Sequence, residues 1–455
     1  MGTKLSNATL WVVAPTAVLD RFPELRPPIG ADEALLEADR CLDCAGPFAL
    51  PPCVVACPAE VDVARFVREI ACGLPLAAAQ TIYRENLLAG TCSRVCPVEV
   101  LCEGACVLSH EGQKPIAVAA LQRYATDEAR KARIPLREAA PRNGLSVAVI
   151  GAGPAGLACA GELAARGFDV VVFDEQEEVG GIVRTAIAPY RQLVDPLPAE
   201  RAALEQLSVR FRLGERITSG ASLAALTDGA DAIFLGVGLG EDIELNCPGT
   251  GLPGFWTSLP LIAALKRGEM IDLGNRVIVI GGGNTAIDVA REALQLGAAH
   301  VTLVYRRTRD EMPAYEFEVV AAEDEGVEFE WLAAPVEILG VGRVAQVRCA
   351  RMRLGAPGED GRRRPEPVEG EEFSLPADTV VAAIGQRPRE EVADWLEGIE
   401  MARGALVVDA ETGRTGHPLV FAGGDAVSGG ASVVQAVADG KRAARAIEEA
   451  LQCQG

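Results

Sequence analysis

The chain has 455 residues, 49% of them hydrophobic, which is enough for several buried cores. A formal net charge of −21 argues against nucleic acid and against an anionic membrane surface, both of which call for Lys and Arg. Thirteen cysteines in a chain of this length are not needed as disulfide staples, and their clustering suits metal ligation.

In chain order, the apolar stretch 8–19 (ATLWVVAPTAVL) comes first. It is too short to cross a bilayer, contains Pro15 and has only Lys4 before it, so it reads as a hydrophobic arm that packs on the protein or on a partner subunit. A cytoplasmic protein is expected. A helix over 31–40 leads into Cys41-x2-Cys44-x8-Cys53-x3-Cys57-Pro58, and a second helical pattern follows over 61–69. The next group is Cys92-x3-Cys96-Pro97-x4-Cys102-x3-Cys106. Thiolates two or three residues apart can converge on one centre, and a proline after a cysteine recurs in iron–sulfur runs. The charged stretch 127–144, with Pro135 and Pro141, reads as a linker.

A strand at 146–150 opens the loop Gly151-Ala152-Gly153-Pro154-Ala155-Gly156 and an Ala-rich helix. The glycines permit a tight turn and let the backbone approach a pyrophosphate at the helix N-terminus. The next strand, 170–173, ends in Asp174, placed to accept from a ribose hydroxyl. A second unit opens with the strand 276–280 and Gly281-Gly282-Gly283-Asn284-Thr285-Ala286. Its following strand, 301–305, ends in Arg306-Arg307. Guanidinium groups there favour a 2′-phosphate, hence NADP(H) over NAD(H). Segment 355–376 is rich in Gly, Pro and charge, and its Arg362-Arg363-Arg364 run reads as a solvated hairpin tip. An apolar strand runs into Phe421-Ala-Gly-Gly-Asp425, and a helix follows over 432–451.

Flavoproteins that reduce disulfides need paired cysteines near the flavin. Beyond Gly151 only Cys159, Cys247, Cys349 and Cys453 occur, widely separated. Each reads as a buried small hydrophobe or a free thiol. Electrons then leave through the N-terminal cysteine groups.

The strings RCLDC, CVVACP, TCSRVCPVEVLCEGAC, PIAVAALQRYATD, VIGAGPAGL, VIGGGNTAIDVA, AAIGQRP and FAGGDAV, in this order, resemble the flavin and iron–sulfur portion of dihydropyrimidine dehydrogenase, within the superfamily of the glutamate synthase small subunit. The resemblance implies an α/β fold with two Rossmann-like dinucleotide-binding domains, the NAD(P) domain inserted in the FAD domain, behind a mainly helical iron–sulfur domain. It implies boundaries at 1–144, 145–268, 269–384 and 385–455, with the chain crossing over near 236–240 and returning near 383–388. It implies that Cys41, Cys44, Cys53 and Cys106 hold one 4Fe–4S cluster, and that Cys57, Cys96, Cys102 and Gln122 hold a second. Cys92 is then a spare thiol and Cys72 helix core.

For FAD, the resemblance adds Gly181, Ile182, Arg191, Ala383, Gly385, Gly424, Asp425, Ser432 and Val433 to the first glycine loop and Asp174. The helix from Ser432 would point its N-terminus at the flavin ring, where its dipole favours the anionic reduced form. The expected activity is an electron-transfer flavoprotein subunit, with no acid–base residue at the hydride step. It would serve a separate catalytic subunit, of dihydropyrimidine dehydrogenase type first. The alternatives are glutamate synthase, or a larger 2-oxoacid or tungsten aldehyde oxidoreductase. Four departures from the family pattern stand out: a long gap between Cys44 and Cys53, Asp174 in place of Glu, an altered loop around Arg191, and Tyr305-Arg306-Arg307-Thr308-Arg309, which resembles the NADPH-using branches more than the NADH-linked pyrimidine subunit.

Overall fold

The computed structural model describes residues 18–452 apart from 45–48, 136, 228 and 359–360. Most of the apolar stretch 8–19 lies outside these residues. Its end, Val18, is buried with Phe22 in the core of the second nucleotide unit, and Arg21 donates to the Leu296 carbonyl there at 2.9 Å.

The N-terminal part is helical: α1 (Ala31–Asp39), α2 (Pro52–Val55), α3 (Val63–Ala71), α4 (Pro75–Glu85), α5 (Ala89–Val95), α6 (Val107–His110) and α7 (Val118–Ala132). Asp62 caps α3 by accepting from the Arg65 amide at 3.2 Å, which satisfies one of the orphan donors of the first turn. α3 stops where Gly73 turns at φ +72°, so Cys72 is a helix-end residue exposed to solvent and not helix core. The expected linker also starts later than 127. α7 continues to Ala132, because Asp127 receives the fully buried Arg94 guanidinium at 2.9 Å, and Arg130 follows one turn on at 3.4 Å. The helix ends at Arg133, in the left-handed region at φ +52°.

Two five-stranded parallel sheets follow. The first takes β1 (Ser146–Ile150), β2 (Asp169–Asp174), β3 (Arg210–Leu213) and β4 (Ala232–Leu235), with α8 (Pro154–Ala165), α9 (Ile182–Thr185), α10 (Leu197–Gln206) and α11 (Gly220–Thr227) between them. The chain then leaves to build the second sheet from β5 (Phe255–Thr257), β6 (Arg276–Gly281), β7 (His300–Tyr305), β8 (Glu328–Trp331) and, after the antiparallel strands β9 (Ala333–Leu339), β10 (Gln346–Pro357) and β11 (Arg363–Pro376), the strand β12 (Thr379–Ala383), which lies between β5 and β6. Helices α12 (Ser258–Lys266), α13 (Asn284–Gln295) and α14 (Glu316–Glu325) belong to this part of the chain. A short ribbon, β13 (Met401–Ala402) and β14 (Ala405–Leu406), precedes β15 (Val420–Ala422), which returns to the first sheet beside β4. The strand orders are β15-β4-β1-β2-β3 and β5-β12-β6-β7-β8.

The second unit is thus inserted in the first, and it begins earlier than residue 269. β5 pairs with β12, and α12 buries Leu261, Ile262 and Leu265 in the second core. The chain divides at the 236–240 crossing. There the Gly240 amide donates to Arg387 at 2.7 Å and the Ile243 amide to Gly385 at 2.8 Å, so outgoing and returning strands run side by side.

After α15 (Asp425–Ser428), α16 (Val433–Gln452) crosses α8, and Gly440 makes the approach possible. A Cβ there would collide with the Ala155 carbonyl and meet the Cys159 amide at 2.9 Å. The helical region and the first nucleotide unit share one core. A Cβ at Gly161 of α8 would strike Leu87, which follows α4, and Leu204 of α10.

Candidate functional site

At the end of β1 the chain turns at Gly151, φ +104°. A Cβ there would overlap the Gly236 carbonyl, and one on Gly156 would overlap the Gly151 carbonyl. Gly153 precedes α8 and Pro154 opens it, and a Cβ on Gly153 meets nothing within 4 Å. The helix N-terminus is therefore open for a pyrophosphate to approach its backbone amides.

Gly151, Gly153, Pro154, Ala155, Asp174, Gly181, Ile182, Gly424, Asp425, Ser432 and Val433 line one continuous cavity. Asp174 accepts from the Ala152 amide at 2.6 Å and from the Gln176 amide at 2.8 Å, one on each oxygen. Burial holds its pKa above the ordinary value. The acid first holds the glycine loop, and each oxygen keeps acceptor capacity for a ribose hydroxyl. Asp425 is also raised by burial, and it accepts from the Ala431 amide at 3.1 Å.

Arg191 does not face this cavity. Its guanidinium is buried against Asp288 of α13 at 2.6 Å and Glu318 of α14 at 2.8 Å, while the Tyr190 hydroxyl donates to Asp288 at 2.5 Å. Two buried carboxylates of the second unit hold the arginine that sequence reasoning gave to the flavin. The cavity wall also holds residues that were not anticipated, among them Glu175, Arg389 and Trp395. Arg389 spans from the returning chain to Glu175, beside Asp174, at 2.6 Å. Trp395 lines the wall with a buried indole Nε1 that has no hydrogen-bond partner among the described residues. That unmet donor, with the open helix N-terminus, fits a polar dinucleotide cofactor. Arg389 directly follows the AAIGQRP string, a signal that was available; Trp395 had none.

In the second unit, Gly281 turns at φ +152° against the Ala383 carbonyl, and Gly283 leads into α13 with open space where its Cβ would be. Asn284 uses its Oδ1 to accept from the Tyr315 amide at 2.9 Å, and Thr285 is half-exposed beside it. The Tyr305 ring covers Gly282, where a Cβ would strike it. Arg306 is exposed just past β7, and the Arg307 Nε donates to the Arg363 carbonyl at 2.9 Å.

The thiols gather in two places. Cys41, Cys44, Cys53 and Cys106 line one apolar hollow between α2, α3 and the start of α6. Burial, followed by the Cys41 thiol, pushes the Cys53 pKa up to about 12. Cys57, Cys96 and Cys102 form the second group, all three raised: Cys96 has Cys102 and Cys57 among its neighbours, Cys102 has Cys57, and Cys57 has Cys92. For Cys57 and Cys102 burial is the largest cause, and for Cys96 it is the hydrogen bond with Cys92. Cys92 is thus a buried neighbour of Cys96. Gln122 on α7 donates its Nε2 to the Ala89 carbonyl at 2.9 Å, which leaves Oε1 as the atom able to ligate. Among the described residues, no three His, Cys, Asp or Glu side chains are arranged around a single metal ion. Thiols that bind the corners of a four-iron cube are spread wider than ligands of one ion, so the hollow lined by Cys41, Cys44, Cys53 and Cys106 fits a cluster better than a lone metal.

A family model described as pyridine nucleotide-disulphide oxidoreductase matches residues 145–440. One described as dihydropyrimidine dehydrogenase domain II, 4Fe-4S cluster, matches residues 19–134. The chain is 37% identical over 444 residues to the glutamate synthase (NADPH) small chain of Halomonas elongata, covering 94% of this chain and 93% of that one. It is 37% identical to the NADP(+)-dependent formate dehydrogenase subunit beta of Moorella thermoacetica, over 89% of this chain and 60% of the longer relative. Among solved structures, Mycobacterium tuberculosis FprA in complex with NADPH superposes with a TM-score of 0.57 at 20% identity, over 69% of this chain and 85% of that one, a likeness of fold.

Proposed function

The chain belongs to the glutamate synthase small-chain family and is an FAD-dependent NAD(P)H oxidoreductase, and from that premise we propose that it is the electron-transfer subunit of a larger enzyme, linking NADP(H) to a separate catalytic subunit. The observation that supports this reading is that Cys41, Cys44 and Cys53 meet Cys106, from a distant stretch, around one hollow, in a chain whose first glycine loop walls a separate cavity.

FAD supplies the conversion between hydride and single-electron chemistry, and 4Fe–4S clusters supply one-electron carriage. The protein's own residues bind, orient and shield. Gly151, Gly153 and the α8 N-terminus receive a pyrophosphate, Asp174 a ribose, and Gly424, Asp425, Ser432 and Val433 close the flavin end. Gly281, Gly283 and the start of α13 take the nicotinamide nucleotide, with Arg306 and Arg307 on its 2′-phosphate. Cys41, Cys44, Cys53 and Cys106 hold the outer cluster. Cys57, Cys96, Cys102 and Gln122 hold the inner one, near α16, whose Lys441 donates to the Glu85 carboxylate at 3.0 Å and also binds the Ala59 carbonyl next to Pro58.

For the catalytic partner, Gln122 supports a dihydropyrimidine dehydrogenase type. The names of the relatives support a glutamate synthase large chain, or the catalytic part of a formate dehydrogenase or an Fe(3+)-reducing enzyme, instead. Co-purification of the native protein under anaerobic conditions distinguishes them. The cofactor assignment predicts about eight irons and one FAD per chain, from two four-iron clusters and one flavin site. About four irons in fully flavinated protein would remove one of the two ligand sets.

A further inference from the structure

The turn that begins at Cys57 is held in place by α16. The Glu60 amide closes the turn by donating to the Cys57 carbonyl at 2.9 Å, with Glu60 itself in the left-handed region at φ +60°. Two charged side chains one helical turn apart on α16 reach over it. Lys441 donates its Nζ to the Ala59 carbonyl at 2.6 Å, and Arg445 meets the Glu60 carboxylate at 2.9 Å. Burial raises the Cys57 thiol, and three smaller effects oppose it: backbone hydrogen bonds to the sulfur from Val61 and from Ala59, and the charge of Lys441.

Lys441 is only 4% exposed, a depth at which a lysine needs a partner. Among the described residues, the Glu85 carboxylate is its hydrogen-bonded counter-charge, at 3.0 Å, while Glu60 stands off at 4.0 Å. The Glu85 side chain is 31% exposed, so solvent screens the carboxylate more than the ammonium, and a net positive field remains on the Cys57 side. The same helix begins at the flavin cavity. Val433 and Ala436 line that cavity, and Lys441 stands about 12 Å beyond Val433 along the helix axis. One rigid element thus joins the cavity wall to the turn that carries Cys57.

We propose that Lys441 is a positioning residue that sets the reduction potential of the iron–sulfur centre held by Cys57. By fixing the Ala59 carbonyl it keeps the Ala59 and Val61 amides on the sulfur, and its charge favours the state of the centre that carries one electron more. This rests on the reading of Cys57 as a cluster ligand. Hydrogen bonds to ligand sulfurs and net charge nearby are among the levers by which a protein moves such a potential.

The test is a potentiometric titration of the anaerobically prepared, flavin- and iron-loaded protein, followed by electron paramagnetic resonance, with photoreduced deazaflavin as reductant. The parent is compared with Lys441→Met, Lys441→Arg and Glu85→Gln. Lys441→Met is expected to move the midpoint of one cluster signal to more negative potential by about tenfold in the reduction equilibrium, or about 59 mV for one electron, the scale of one charge roughly 10 Å away in a protein interior. The other cluster signal should shift far less. Lys441→Arg should restore most of the change. Glu85→Gln keeps an acceptor for Lys441 and removes its counter-charge, so it should move the same midpoint the opposite way, which a side chain that only packs would not do. Unmoved midpoints in Lys441→Met at parental iron content, or equal shifts of both signals, would overturn the proposal and leave the cluster reading standing. Cys57→Ser separates the two failures: if it keeps parental iron and both parental signals, Cys57 holds no cluster and the reading fails with the proposal. If Lys441→Met does not load iron, Glu85→Gln decides alone, and a midpoint that stays or moves negative overturns the proposal.

Discussion

Glu200 shows how a single buried group joins the helical region to the first nucleotide unit. It sits on α10, fully buried, and accepts from the Thr91 amide at 2.8 Å and the Thr91 hydroxyl at 2.7 Å at the start of α5. Burial raises its pKa to about 7, against a smaller opposing effect from those hydrogen bonds. The folded chain therefore holds this proton more tightly than the unfolded one. The ionised carboxylate costs no stability below the ordinary glutamate range. The cost grows as pH rises from there to about 7 and is complete above it. Glu200→Gln keeps an acceptor for the amide and cannot ionise. Its melting temperature relative to the parent should rise between pH 5 and pH 8, by an amount on the order of 2–3 kcal/mol in stability. A difference that stays flat over that range would mean that Glu200 carries the same charge throughout.

At the scale of elements, the contact that matters most to the cofactor loop is α16 lying across α8. Gly440 faces backbone atoms of Ala155 and Cys159, which cannot rotate away as a side-chain tip would. Gly440→Ala should therefore push α16 off the first turn of α8, the turn that carries Pro154 and Ala155 to the cavity. Overpacking of this kind costs about 1–3 kcal/mol, and FAD should elute from the variant on gel filtration under conditions that leave the parent loaded. Full flavin retention with an unchanged urea midpoint would show that the helices separate without cost. The same helix carries Lys441 to the carbonyl next to Pro58, so flavin retention and iron content should fall together.

For the whole molecule, the question is what sets the two nucleotide units against each other. Arg191 and Tyr190 belong to the first, while Asp288, Arg291 and Glu318 belong to the second. Arg291 also bonds Glu325 at 2.6 Å, so Glu318 keeps a partner when Arg191 is removed, and Asp288 loses its only ion pair among the described residues. Arg191→Leu should cost about 3–5 kcal/mol, the scale of an uncompensated buried charge. Adding Asp288→Leu should recover most of that, since an apolar pair of similar volume replaces the ion pair. A double variant as unstable as the single one would point to lost packing in place of stranded charge. Lys266 makes a second tie between the units, donating to the Val183 and Ile187 carbonyls at 2.9 and 3.0 Å, beside the Ile182 and Thr185 wall of the cavity. No helix among the described residues is long and apolar enough to cross a membrane.

The features legible in the sequence are those whose cause is local. A parallel strand buried on both faces must be nearly all apolar, and a turn that brings backbone to a phosphate must be glycine. The strand at 146–150, the start of the second unit at Arg276 and both glycine loops could therefore be read residue by residue. Cysteine spacing marked the metal-ligating segments for the same reason, although grouping Cys106 with Cys41, Cys44 and Cys53 needed a family resemblance, because those residues meet only when α6 folds back over α3. Only the tertiary structure decided contacts between distant charges. Arg191 was drawn from the flavin to Asp288 and Glu318 because two buried carboxylates on α13 and α14 outweigh a local motif, and Asp127 stayed helical because Arg94, 33 residues earlier, needed a partner in the core. Strand β5 joined the inserted unit because its hydrogen-bonding partner, β12, arrives more than a hundred residues later. Arg307 met the hairpin for the same reason: a backbone carbonyl 56 residues on has no signature in the residue that binds it.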